Sequence, residues 1–157
     1  MDIGQDFQNY YVKHLGKPSL DLHNFSNHIE SSMTPYILEE RELRATQIDI
    51  FSRLMRDRIL WVAGPVNDHM STIVQAQLMF LDSNDKADIT MHIDSPGGSV
   101  KSGLSIVDVM NYIACDIRTI NTGMAASMGS ILLGAGTKGK RSSLKFSRTM
   151  LHQSSGG

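Results

Sequence analysis

From residue 58 onward, short apolar runs alternate with longer segments whose apolar residues recur every three or four positions. This alternation restricts the fold more than any other feature of the chain. Residues 58–65 (Arg-Ile-Leu-Trp-Val-Ala-Gly-Pro) are an apolar run stopped by Gly-Pro, expected to form a buried strand. Asp68 is placed to cap a helix that carries Ile73, Gln77, Phe80 and Leu81 at helical spacing through Asp82. Residues 88–94 alternate as a strand, Ser95-Pro96-Gly97-Gly98 turns the chain, and a helix over 99–114 presents Leu104, Val107 and Met110 on one stripe. A strand over 117–122, a small-residue helix over 125–135 and two short strands at 140–144 and 149–152 complete the series. Upstream, Ile50, Phe51, Leu54 and Met55 also stand at helical spacing. Such an order predicts an α/β domain, a largely parallel sheet with flanking helices.

Residues 1–33 show neither period and are read as a leader or propeptide-like mobile segment, with the ordered domain spanning 34–157 from Met33-Thr34-Pro35. Hydrophobic residues make up 41 % of the chain and charged residues 20 %, the composition of a soluble globular protein. Lys and Arg number 15 against 16 Asp and Glu, which gives no electrostatic reason to expect nucleic acid or an anionic membrane as partner. The single cysteine, Cys115, forms no internal disulfide. No apolar stretch approaches the ~20 residues of a membrane span and the N-terminus lacks the plan of a signal peptide, so a cytoplasmic protein is expected.

Three places in the sequence have the makings of chemistry. Gly97-Gly98, after a strand and before a helix, lets the backbone approach a bound group closely and leaves amides free for a phosphate or a developing oxyanion. The plainer reading is a tight turn. Ser127, in Gly123-Met124-Ala125-Ala126-Ser127-Met128-Gly129, follows a strand and opens a helix among small neighbours, the logic of a nucleophile elbow without its usual glycine spacing. It could equally be a capping or packing residue. His152, in Arg148-Thr149-Met150-Leu151-His152-Gln153, ends a strand at the edge where α/β proteins place reactive groups, or it is a hydrogen-bonded structural histidine. No H-E-x-x-H or Cys/His cluster points to a metal.

These motifs, with Ala135-Gly136-Thr137-Lys138-Gly139-Lys140-Arg141 and Gly156-Gly157, resemble the proteolytic-subunit (ClpP) family of the ATP-dependent Clp protease. The likeness runs over about residues 35 to 157 and lies in the order and spacing of the motifs. It implies a ClpP/crotonase-like α/β head domain that forms heptameric rings, as a homo-oligomer fed with polypeptide by an AAA+ unfoldase such as ClpX or ClpA. It implies a serine endopeptidase with Ser127 as nucleophile, His152 as general base, and the backbone amides of Gly98 and Met128 as oxyanion hole. No cofactor is implied for this chain, since ATP is used by the unfoldase. The family's orienting Asp and its handle helix lie beyond the His, and the chain reads to Gly157 as if C-terminally truncated, with the handle region missing. On that footing weak or no peptidase activity is expected, since loss of the orienting Asp in a serine triad can lower kcat by about 10⁴. Ser154 stands where the family usually has proline. Thr90 and His92 stand where it has outward aromatics of the unfoldase-docking pocket, and Ile120 and Leu144 keep apolar character there. The alternative is a non-catalytic ring or interaction subunit, or an inert fragment. A crotonase-type acyl-CoA enzyme has no use for the serine and histidine motifs.

Overall fold

The computed structural model describes residues 36–41 and 44–153, with side chains from Asp49 onward. The leader at 1–33 and the glycines at 156–157 lie outside the described residues. The chain divides after Ile50 into two units. In the first, β1 (Tyr36–Arg41) and β2 (Arg44–Asp49) pair antiparallel, with Tyr36 opposite Asp49 and Arg41 opposite Arg44. The hairpin is not among the elements expected from the sequence.

The second unit begins within α1 (Ile50–Arg56) and continues in the order β3 (Ile59–Ala63), α2 (Asp68–Asn84), β4 (Ile89–Ser95), α3 (Val100–Tyr112), β5 (Ile117–Ala126), α4 (Met128–Gly134), β6 (Arg141–Ser143) and β7 (Arg148–Met150). The sheet has five strands, ordered β3-β4-β5-β6, with β7 also on β5, and every pairing is parallel. The expected α/β plan is therefore the observed one. Strand order follows chain order, and parallel crossovers share one hand, so the helices fall on a single face. Leu60, Val62, Ile89, Met91, Ile93, Ile117, Thr119 and Asn121 point to that face and are buried beneath Val74, Leu78, Leu81, Ile106, Met110 and Leu132 of the helices.

Where periodicity alone chose a helix face, it chose slightly wrongly. In α3 the buried residues are Ser102, Gly103, Ile106 and Met110, while Leu104 is half exposed. In α2 they are Ser71, Val74, Leu78 and Leu81, while Ile73 and Phe80 are exposed. The cap of α2 is Asn67, whose side chain accepts from Met70 N–H at 2.9 Å. Asp68 is the first helical residue and accepts from Ser102 Oγ at 2.6 Å. Strand β3 is not buried on both sides: at the sheet edge, Leu60 and Val62 are covered, but Trp61 is 45 % exposed.

Asp82 ties the end of α2 to the chain entering β5. Its carboxylate accepts from Lys86 Nζ at 2.8 Å and from the backbone amides of Ala114 and Cys115 at 3.0 and 3.1 Å. The Lys86 bond first, and the bonding to Cys115 after it, hold the carboxyl at a pKa of about 2, below the ordinary 3.8. A carboxyl depressed by folding contributes stability that is complete above its unfolded pKa and fades as pH falls through the folded one. Asp82→Asn is therefore expected to lower the urea midpoint at pH 6. The two proteins should converge as the pH nears 2, as read by denaturation across that range.

Candidate active site

Strand β5 sets the geometry. Its pairing with β4 runs in register from Ile89–Ile117 to Ile93–Asn121 and then jumps to Ser95–Ala125, so β5 bulges over residues 122–124. The Asp94 carboxylate steadies the bulge by accepting from Met124 N–H at 2.9 Å. The strand therefore reaches Ala126, and the helix starts at Met128 rather than at 125. Ser127 is the one residue between them, with φ +52° and ψ −122°. A positive φ on a residue with a Cβ is strained and persists only where its surroundings enforce it. Here Ser127 N–H donates to Met150 O at 2.9 Å, while Ser130 N–H and Oγ donate to Ser127 O at 3.0 and 2.6 Å. The sharp turn leaves the hydroxyl free of any capping bond to the helix.

The 95–98 turn presses against this elbow. Ser95 is fully buried; its Oγ donates to Gly64 O at 2.7 Å and accepts from Gly97 N–H at 3.1 Å. Gly97 has φ +92°, and a Cβ there would lie 2.6 Å from Ser127 Cβ and 2.9 Å from Met128 N. Only a glycine backbone comes so near. Gly98 bridges to Val66, but through its neighbours: Val66 N–H donates to Gly97 O and Ser99 N–H to Val66 O, each at 2.8 Å. The Gly98 amide takes no part in that pairing. Met128 N–H, at the first helical position, has no acceptor within its helix.

His152 arrives from the other side of β5. Strand β7 pairs Met124 with Arg148, Ala125 with Thr149 and Ala126 with Met150, carrying the chain past the elbow. Ser127 and His152 line one cleft of about 300 Å³, with Val100, Leu104, Met128, Ile131 and Leu151 as its apolar wall. His152 Nδ1 lies within hydrogen-bond distance of Gln153 O. The Gln153 carbonyl can accept from Nδ1–H in the tautomer that leaves the Nε2 lone pair open. No carboxylate lines this cleft among the described residues. Asp94 is engaged at the bulge, and Asp116 accepts from Lys140 at 2.8 Å, a bond that lowers its pKa.

Several contributors escaped the sequence reading. Ser95 locks the turn, and Asn121, buried on the inward face of β5, reaches β7. The signal for Asn121 was an amide in the same period-2 row as Ile117 and Thr119, the inward row of β5. Trp61 is another: it stands beside His92 in the register, stacked at 4.8 Å between ring centroids, and Ile120 follows in the same row of β5. Burial under this stack lowers the pKa of His92. Cys115 is a free, buried thiol whose pKa is raised, chiefly by desolvation and then by its bond to Asp82, so it is a poor rival nucleophile.

A parallel sheet that ends a strand in a strained serine and opens a helix behind it is the layout by which α/β serine hydrolases expose a nucleophile. The family model of the Clp protease matches residues 41–157. The chain is 52 % identical over 153 residues to the ATP-dependent Clp protease proteolytic subunit of Bacteroides fragilis, which covers 97 % of this chain and 70 % of that one. Its counterparts in Bacteroides thetaiotaomicron and Porphyromonas gingivalis are 51 % and 48 % identical, again over 97 % of this chain and over 70 % and 69 % of theirs. The chain belongs to the Clp protease family. No helix among the described residues is long and apolar enough to cross a membrane.

Proposed function

We propose that this chain is a serine peptidase subunit of an ATP-dependent Clp protease, with Ser127 as nucleophile and His152 as general base. The observation that carries the reading is that Ser127, at a strained elbow, shares one cleft with His152 and abuts the Gly97-Gly98 turn. His152 Nε2 takes the proton from Ser127 Oγ as the oxygen attacks a peptide carbonyl. The negative charge on that carbonyl oxygen is met by the N–H groups of Gly98 and Met128; losing one such donor typically lowers kcat by about 10²–10³. The imidazolium then protonates the leaving amine, and water, deprotonated by the same base, releases the acyl group from the serine. The apolar wall of the cleft accepts an apolar side chain of the substrate. The chemistry needs no cofactor on this chain.

Assembly follows the family: the subunit forms rings with its own copies and receives unfolded polypeptide in the cytoplasm from an AAA+ unfoldase, which alone uses ATP. The row of Trp61, His92 and Ile120 offers apolar surface on the sheet face away from the helices. A fluorophosphonate probe on the folded full chain tests the reading. Labelling is expected to map to Ser127 and to vanish in Ser127→Ala. A folded, assembled sample that takes no label, or labelling that survives Ser127→Ala, overturns it and favours a non-catalytic ring subunit.

A further inference from the structure

Strand β7 has little of its own to fix its register. It is three residues long and all three are exposed, so no apolar face chooses between one alignment and the next. A slip of one residue moves a strand by about 3.3 Å and turns every side chain to the other face. His152 follows β7 by two residues, so its place beside Ser127 depends on that register.

Asn121 holds it. The residue is completely buried, and its amide is used at both ends: Nδ2 donates to Arg148 O at 2.9 Å and to Thr149 Oγ1 at 3.1 Å, and Oδ1 accepts from Gly123 N–H at 3.2 Å. Its own carbonyl accepts from Leu144 N–H at 3.0 Å, just past β6. Asn121 therefore stands at the junction where β5 exchanges β6 for β7, and it grips the first residue of β7 while steadying the bulge that leads to the elbow. A buried amide in a core strand is desolvated on folding and recovers little net stability from its bonds, so stability alone is a weak reason for one here. What an amide adds is one permitted alignment.

We propose, on the footing of the Ser127–His152 reading above, that Asn121 is a positioning residue that sets the register of β7 and so brings His152 to Ser127. The test uses the full-length chain and reads fluorophosphonate labelling together with amide exchange at Ser127, whose N–H is bonded to Met150 O. In Asn121→Leu, labelling is expected to slow at least tenfold and Ser127 exchange to quicken at least tenfold, while the melting temperature falls by only a few degrees and exchange at Ile93 quickens far less than at Ser127. In Asn121→Asp the lost donors slow labelling at neutral pH, and acidification narrows the gap to wild type as the protonated acid regains one donor. Should Asn121→Leu not fold, Thr149→Val, altered at an exposed position, decides: about threefold slower labelling and faster Ser127 exchange are expected. Unchanged labelling and exchange in a folded variant overturn the proposal. If the wild type takes no label, the Ser127 reading has failed, and exchange at Ser127 alone decides whether Asn121 sets the register.

Discussion

Replacing Gly97 with alanine is expected to slow the labelling of Ser127 by about 10² or more. The added Cβ would sit 2.6 Å from Ser127 Cβ, 2.7 Å from Ala126 O and 2.9 Å from Met128 N. None of these atoms is the far end of a flexible side chain, so nothing can swing aside. The turn must retreat, and it takes the Gly98 amide with it. Misplacing a reacting group by about 1 Å can lower a rate by about 10², because the amides must converge on one developing charge. The φ of +92° adds strain of its own, on the order of 1–3 kcal/mol. Gly64 separates the two effects: its φ is +82°, but a Cβ there meets nothing within 4 Å. Gly64→Ala should therefore share the loss of stability and keep most of the labelling. Labelling rates and melting temperatures of the two variants check this, and a Gly97→Ala protein that labels at the wild-type rate refutes it.

Arg58→Ala is expected to destabilise the domain by about 2–4 kcal/mol, the range for dismantling a charged hydrogen-bond network. The guanidinium donates to Leu81 O at 3.0 Å, Asp88 O at 3.3 Å, Asp85 O at 3.2 Å and Ala87 O at 2.8 Å, and meets Cys115 Sγ at 3.2 Å. One side chain thus satisfies the carbonyls at the end of α2 and of the loop that feeds β4, where a cation also suits the helix dipole. Lysine cannot reproduce this fork, so Arg58→Lys should rescue little. Arg58 itself has φ +61°, which makes Arg58→Gly the informative control. It relieves the backbone yet removes the guanidinium, and it should remain clearly less stable than wild type. The urea midpoint of the three variants measures the effect. A loss below about 1 kcal/mol in Arg58→Ala would mean that water replaces the guanidinium.

The elements that sequence reading recovers are those whose signal is local. Gly-Pro after residues 58–63 ends a strand because proline and glycine punctuate the chain wherever they occur. Ser127 could be placed between strand and helix because small residues cluster around it, and His152 because it follows a short apolar run. Other features depended on partners distant in sequence. Periodicity alone placed Leu104 on the inner stripe of α3, yet the helix turns Ile106 inward and leaves Leu104 to the cleft beside Ser127. The extra length of β5 comes from the bulge held by Asp94, a contact across 30 residues of chain. Nothing near residue 121 announces that its amide bonds to residues 148 and 149.

By itself, the sequence determined the succession of strands and helices and the glycine turn, and it singled out the candidate groups Ser127 and His152, because each follows from how a residue restricts its own backbone and its near neighbours. Only the tertiary structure decided which groups meet. The elbow at Ser127, the close passage of Gly97 and the arrival of His152 each require two segments far apart in the chain to settle against one strand. Their alignment is fixed by packing and hydrogen bonds that exist only once the sheet has formed.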